Sequence, residues 1–322
     1  MDEVLIVENL TVLYMKDGRK IRAVDQVELK IKRGDMVGIV GESGSGKSTL
    51  AHTIMGLLPE NAIVPEGRID LLGHDILNLS ESEMREIRWK KFSMVFQKSM
   101  NALSPVHRIR EQMLEALIIH NPNIDGKRAE ERMKRVLKMV NLPYRVLRSY
   151  PHELSGGMMQ RVMIALALIN DPEFIIFDEA TTALDVVTQG QILDEIKNLV
   201  GELSLTGMVI THDIGVVAEI CNRIAVMYAG RIVEEGSKDE VLFDPLHPYT
   251  KALISSHPEI AEKEGKMRGI PGSLPDLSKE IKGCVFAERC PYARKICFEE
   301  KPEFMSIGER KVACFQLQEV KR

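Results

Sequence analysis

The eight residues Gly41 to Ser48, GESGSGKS, lie between an apolar run, Met36 to Val40, and a helix-compatible stretch, TLAHTIMGLL. This arrangement constrains the fold more than any other feature, because G-x-x-x-x-G-K-[ST] works as a bend between a buried strand and the start of a helix. Glycines at such a bend let backbone N–H groups wrap phosphate oxygens, and the helix N-terminus adds positive potential. Lys47 is placed to reach the outer phosphates and Ser48 to offer its hydroxyl to Mg²⁺. Gly41, Ser43, Gly44, Ser45, Gly46, Lys47, Ser48 and Thr49 are therefore the candidate phosphate-binding residues. A glycine turn without a ligand is the plain alternative, and the flanking strand and helix patterns weigh against it.

Three more short apolar runs end in residues able to do chemistry. Ser93 to Phe96 leads into Gln97, Phe174 to Phe177 into Asp178 and Glu179, and Met208 to Ile210 into Thr211 and His212. Continuous apolar strands suit a parallel sheet buried on both faces, and ligands in such folds sit at the carboxyl ends of the strands. One site is expected to collect all four endings. Asp178 is the expected Mg²⁺ holder, acting through water, and Glu179 the group that polarises attacking water. An acidic pair leaving a strand can also be a plain helix cap, and the phosphate loop is what favours the site.

The 322 residues suggest about two domains. A formal net charge of −4 gives no sign of a dedicated nucleic-acid binder, so no nucleic-acid partner is expected. The longest unbroken apolar run, Val162 to Ile169, is far shorter than the roughly 20 residues that cross a bilayer. The acidic N-terminus, MDEVLIVENLTV, does not read as a signal peptide, so a cytoplasmic chain is expected. LIVENLTVLY and AVDQVELKI predict strands, REQMLEALIIH and KRAEERMKRVLKMV predict helices, and RIAVMYAGRIVEEG predicts a return to strands. Ser80 with Glu83 and Thr188 with Gln191 fit capping boxes. His257 to Gly283 reads as a linker or loop.

The stretch LSGGMMQR, Leu154 to Arg161, precedes the helix-compatible VMIALALIN. With it the chain resembles the ATP-binding subunits of ABC transporters. Tyr14 matches the adenine-stacking aromatic, although it could also be a core aromatic of a strand; Gln97 matches the Q-loop, Ala183-Leu184-Asp185 the D-loop and His212 the switch histidine. Met158 stands where glutamine is commonest in the family, and Ala180 where proline is common; neither position supplies a contact to phosphate or metal.

The resemblance implies an α/β fold of the ABC-type P-loop ATPase kind: a RecA-like parallel sheet core, an antiparallel β subdomain and a helical insertion. It implies an ATPase domain over residues 1–245, with the helical subdomain at about 101–170, and a cysteine-containing extension over 246–322. It also implies ATP and Mg²⁺ as cofactors. Lys47, Gln97, Glu179 and His212 become the catalytic set, and Ser48, Gln97 and Asp178 the Mg²⁺ ligands. Ser155, Gly156 and Gly157, with Asp185, are expected to contact nucleotide bound to a partner subunit.

A narrower resemblance, to the dipeptide/oligopeptide importer ATPases, rests on QKSMNALSPVHRIREQMLEAL, TTALDVVTQGQIL, HPYTKAL, PGSLPDL and GCVFAERCPYARKIC. It implies a peripheral subunit on the cytoplasmic face of the cell membrane. Its partners would be a second ABC ATPase subunit, homologous but not identical, two transmembrane permeases and an extracytoplasmic solute-binding protein. Related importers carry nickel or oligosaccharides. A non-transport ABC subunit of a soluble or enzyme complex, of the phosphonate-breakdown type, is the alternative.

Cys284, Cys290, Cys297 and Cys314 have spacings that match neither the short zinc pairs nor the ferredoxin run. Four thiols so close read as a zinc or iron–sulfur site, or as buried free thiols. The family resemblance favours a [4Fe–4S] cluster, with Phe286, Tyr292, Phe298 and Phe315 as its expected walls, and the phosphate site is expected to be independent of this tail. Cys221, alone before Asn222, reads as a small buried hydrophobe.

Overall fold

A computed structural model of the chain describes residues 3–96, 102–180, 185–256 and 269–318; Gln97, Ala183 and Leu184 lie outside the described residues. The chain divides into two compact units, Met1–Leu77 with Val209–Arg322, and Asn78–Met208.

The first unit begins with two long antiparallel strands, β1 (Glu3–Lys16) and β2 (Arg19–Lys32). Along β2, Val27, Leu29 and Ile31 are buried while Glu28 and Lys30 are exposed, the period-two pattern of a strand with one covered face. β3 (Met36–Val40) is buried at every residue and runs through the glycine loop into α1 (Lys47–Ile54). β4 (Ala62–Leu71) and β5 (His74–Asp75) complete an antiparallel sheet ordered β2-β1-β4-β5.

The second unit contains α2 (Glu81–Ile87), β6 (Phe92–Val95), α3 (Ile109–His120), α4 (Gly126–Met139), α5 (Gly156–Leu168), β7 (Phe174–Asp178) and α6 (Val186–Leu203). Ser80 and Glu83 form the expected capping box on α2. On α4 the buried positions Ala129, Met133, Val136 and Leu137 repeat at helical spacing, and Arg132 reaches from this helix to the carbonyls of Leu168 and Ile169 at the C-terminal end of α5. β6 and β7 pair in parallel, Phe92 opposite Phe174. The predicted capping box at Thr188 and Gln191 is corrected: α6 starts three residues earlier, at Asp185. The Asp185 carboxylate accepts both the N–H and the hydroxyl of Thr188, at 3.0 and 2.7 Å, and a charged acceptor outcompetes a threonine cap.

β8 (Gly207–Thr211) spans the boundary between the units and is buried throughout. The first unit resumes with α7 (Ile214–Ile220), β9 (Arg223–Tyr228), β10 (Arg231–Ser237), α8 (Lys238–Phe243) and α9 (Pro248–Ser255). In the tail, β11 (Met305–Ile307) and β12 (Arg310–Val312) form a short hairpin. Within this unit the second sheet runs β11-β12-β10-β9-β3, parallel between β3 and β9 and antiparallel elsewhere. The tail thus extends the edge of the sheet whose other strand, β3, feeds the glycine loop. Among the described residues no helix is long and apolar enough to cross a membrane.

Candidate nucleotide site and cysteine-bearing tail

In the first unit the glycine loop is a strand-to-helix bend, as its pattern requires. Gly46 holds a φ of +103°, and a Cβ there would stand 2.2 Å from the Ala23 carbonyl oxygen, so only glycine fits. Because Gly46 is also the N-cap, α1 opens without a side-chain cap and without an acidic residue in its first turn, which leaves its positive end oriented for an anion. Ser45 is fully buried, and its carbonyl accepts the Gly230 N–H at 2.9 Å. The Lys47 ammonium is buried and bonded to the carbonyls of Gly41 and Glu42 at 2.7 and 2.9 Å, so it lies folded along the loop it is expected to serve. Tyr14 is half-buried on β1, its hydroxyl 3.4 Å from that of Thr49. The structure therefore places the Tyr14 hydroxyl beside the first turn of α1. His212 is exposed at the end of β8, followed by Asp213, whose carboxylate caps α7.

In the second unit, Asp178 is 2% exposed at the end of β7 and Glu179 is half-buried just beyond it, at a φ of +46°. Such a backbone is costly for a residue with a side chain, and strain of this kind concentrates at functional positions. Ser155 is exposed, and its hydroxyl accepts the Met158 N–H at 3.3 Å as the cap of α5. Gly157 is needed for packing as well, because a Cβ there would meet the Thr188 methyl at 2.6 Å. Arg161, the last residue of the signature stretch, pairs with the nearly buried Glu195 at 2.8 Å and ties α5 to α6. Asp185 is exposed, its carboxyl held below the usual range first by the Thr188 backbone N–H.

The tail carries the largest departures from expectation. Of the four tail cysteines, Cys314 is buried and Cys284, Cys290 and Cys297 are half-buried. The backbone amides of Phe286, Tyr292 and Gln316 donate toward Cys284, Cys290 and Cys314, and the Arg294 N–H lies 3.5 Å from the Cys297 sulfur. Among the described residues no group of three or more His, Cys, Asp or Glu side chains is placed to hold a metal ion, and the cysteines form no disulfide. Burial disfavours thiolate, pushing Cys284 up to about 11 and raising Cys290 and Cys314. The expected aromatic wall is corrected. Phe286 is buried against Tyr228, Tyr249 and His247, with ring centroids 5.3 to 6.0 Å apart, whereas Tyr292 and Phe298 are 55% and 53% exposed. Cys221 is buried, with its thiol pushed up by desolvation, as expected of a small hydrophobe.

Sequence reasoning missed how the tail meets the phosphate loop. The Arg289 guanidinium pairs with the Glu42 carboxylate at 2.9 Å, and the Glu42 N–H donates to the Tyr249 hydroxyl at 2.9 Å. Glu42 occupies a position that the loop pattern leaves open, so no motif could reveal its partners.

An ABC transporter family model matches residues 24–182, and a model of the oligopeptide/dipeptide transporter C-terminal region matches residues 233–297. The chain is 44% identical, over 99% of its length and 96% of the relative's, to a probable peptide ABC transporter ATP-binding protein of Sinorhizobium fredii. It is 41% identical, over 98% of its length and 94% of the relative's, to the oligopeptide transport ATP-binding protein OppD of Escherichia coli. A solved dimeric ATP-binding cassette in a post-hydrolysis state with ADP and Pi matches with a TM-score of 0.65 and 34% identity, over 73% of this chain and 98% of that one. Fold and phosphate loop together define an ATP-binding cassette ATPase, which works on ATP with Mg²⁺. The chain belongs to the ATP-binding proteins of the oligopeptide/dipeptide ABC transporter family.

Proposed function

We propose that this chain is the ATPase subunit that powers a membrane importer of dipeptides or oligopeptides. The carrying observation is the full-length likeness to peptide-transport ATP-binding proteins, which extends through the C-terminal region at 233–297. The subunit works at the cytoplasmic face with a related, non-identical ATP-binding subunit, two transmembrane permeases and an extracytoplasmic binding protein.

In this reading the loop Gly41–Thr49 holds the phosphates, Tyr14 stacks on the base, and Ser48, Gln97 and Asp178 serve Mg²⁺. Glu179 accepts a proton from the attacking water and His212 steadies the γ-phosphate. Ser155, exposed at the start of α5, faces the partner's nucleotide together with Gly156 and Gly157, and Asp185 adjoins that interface. ATP favours the closed pair of subunits and hydrolysis reopens it, which drives the permeases by population shift. The four-cysteine tail holds a [4Fe–4S] cluster, with zinc as the alternative. Four cysteines in one tail, with backbone amides aimed at their sulfurs, support this, because N–H donors stabilise metal-bound thiolate. Such a cluster would supply a structural brace or a redox sensor.

The test is purification of the tagged full chain from membranes at native expression. Two multi-span permeases and a related ATP-binding subunit are expected to co-purify. A soluble enzyme complex in their place contradicts the reading and favours the phosphonate-breakdown type, while permeases whose binding protein takes nickel or oligosaccharide correct the solute.

A further inference from the structure

Within the first unit, Leu274 and Arg289 of the tail come up to the phosphate loop. Leu274 approaches Gly44, where a Cβ would stand 3.5 Å from its methyl, and the Leu277 carbonyl accepts the Arg22 N–H at 3.0 Å. The central contact is Arg289, whose side chain is only 6% exposed. Its Nε donates to the Pro271 carbonyl at 2.7 Å, Nη2 to the Ile270 carbonyl at 3.1 Å, and Nη1 to both the Tyr228 hydroxyl at 3.1 Å and Glu42 Oε2 at 2.9 Å. The guanidinium also lies over the Tyr228 ring, 5.6 Å from its centroid. A planar fork held at every edge can place one charge accurately.

What that charge meets is a carboxylate inside the phosphate loop. Glu42 is the second residue of the loop, and its own carbonyl accepts the Lys47 ammonium at 2.9 Å. Its Oε1 is buried without a hydrogen-bond partner among the described residues, so the pair with Arg289 through Oε2 carries the compensation for that burial. An uncompensated carboxylate in a loop built to hold phosphates would oppose the anion the loop must bind. The loop backbone at the same residue is pinned from the family-specific C-terminal region, since the Glu42 N–H donates to the Tyr249 hydroxyl.

We infer that Arg289 is a positioning residue of the nucleotide site: by neutralising and orienting Glu42 it makes the C-terminal tail a determinant of ATP affinity. It acts through Glu42 and touches no phosphate itself. An anchor whose only task was to hold the tail could end on any surface carboxylate; this one ends within the loop, 247 positions earlier in the sequence.

The experiment uses the full chain with Arg289→Ala, Arg289→Lys, Glu42→Gln and the double variant Glu42→Gln/Arg289→Ala. ATP affinity is read with a fluorescent ATP analogue and steady-state KM and kcat from phosphate release. Arg289→Ala is expected to weaken ATP binding about tenfold, the size of one part-buried charge left unmatched, and to raise KM with kcat changed less than about twofold. Arg289→Lys is expected to keep most of the affinity. Glu42→Gln in the Arg289→Ala background is expected to restore affinity to within about threefold of wild type, because the opposing charge is gone. Wild-type affinity in Arg289→Ala overturns the inference. So does a loss that Glu42→Gln fails to restore, which would mark Arg289 as an anchor of the tail alone.

Discussion

Replacing Arg310 with methionine tests how firmly the tail is built into the first unit. Glu234 on β10 is fully buried, and its carboxylate accepts three donors: Arg310 Nη2 at 2.8 Å and the backbone N–H groups of Leu246 and His247, both at 2.9 Å. Arg310, on β12, is 5% exposed and brings the only one of these three that carries a full charge. Arg310 also reaches Asp244 at 3.2 Å, but that carboxylate is 80% exposed, and an exposed partner contributes little. Removing the guanidinium strands a buried carboxylate, a loss of about 3–5 kcal/mol. Methionine keeps the apolar stem, so packing loss should be the smaller part. The single tryptophan, Trp89, lies in the other unit, bonded to the Leu166 carbonyl, and its fluorescence would miss the effect. The assay is therefore denaturant unfolding by circular dichroism together with hydrogen exchange at 234–249 and 305–315. The double variant Arg310→Met/Glu234→Gln should recover all but about 1–2 kcal/mol, since no charge is then left unpaired. A loss below about 1 kcal/mol for Arg310→Met would show that the Glu234 carboxylate does not depend on the guanidinium.

Three further outcomes follow from the geometry. Burial lowers His247 to about 3, so it is neutral in the fold and its Nδ1 accepts the Tyr249 N–H at 3.0 Å. The unfolded chain takes up that proton below about pH 6.5, so stability should fall on acidification from about 6.5 toward 3. Between pH 6.5 and 5 wild type should lose about 2 kcal/mol more than His247→Asn, read from denaturant midpoints; equal losses would contradict the assignment. Gly46→Ala forces a Cβ to 2.2 Å from the Ala23 carbonyl at a φ of +103°, so ATP binding by the full chain should fall below detection in titration calorimetry, and retained binding would show that the loop can give way. Lys47→Ala should weaken ATP binding by the isolated subunit, whereas Ser155→Arg should leave it intact and abolish hydrolysis in the assembled complex; equal loss of binding in both would count against action on the partner's nucleotide.

Strands buried on both faces were the most legible part of the fold, because apolar runs such as Met36–Val40 and Phe174–Phe177 have few ways to be buried. The phosphate loop was legible for a related reason: its glycines answer a local backbone demand that the pattern itself records, as Gly46 shows. The tail was not. Phe286 has the composition of a thiol-shielding ring, but what it touches, Tyr228, Tyr249 and His247, is decided by sheet order and not by its place among the cysteines. The start of α6 was misplaced because threonine and aspartate both cap helices, and only the backbone course shows that Asp185 arrives first. Arg289 was missed for the most general reason. A charge pair 247 residues apart leaves no periodicity, so the contact between tail and phosphate loop becomes visible only in the folded chain.

The central claim, that ATP hydrolysis by this chain drives peptide import, is tested most directly by uptake of a labelled oligopeptide into cells carrying the complete importer with either wild-type chain or Glu179→Gln. Glutamine keeps the shape of Glu179 and removes the charge that accepts the proton. ATP-dependent uptake is expected with the wild-type chain, and a fall of roughly 100-fold or more with Glu179→Gln, while the variant still binds ATP and still assembles with its permeases. Uptake at an undiminished rate with Glu179→Gln, or none with the wild-type chain in a fully assembled complex, would contradict that claim.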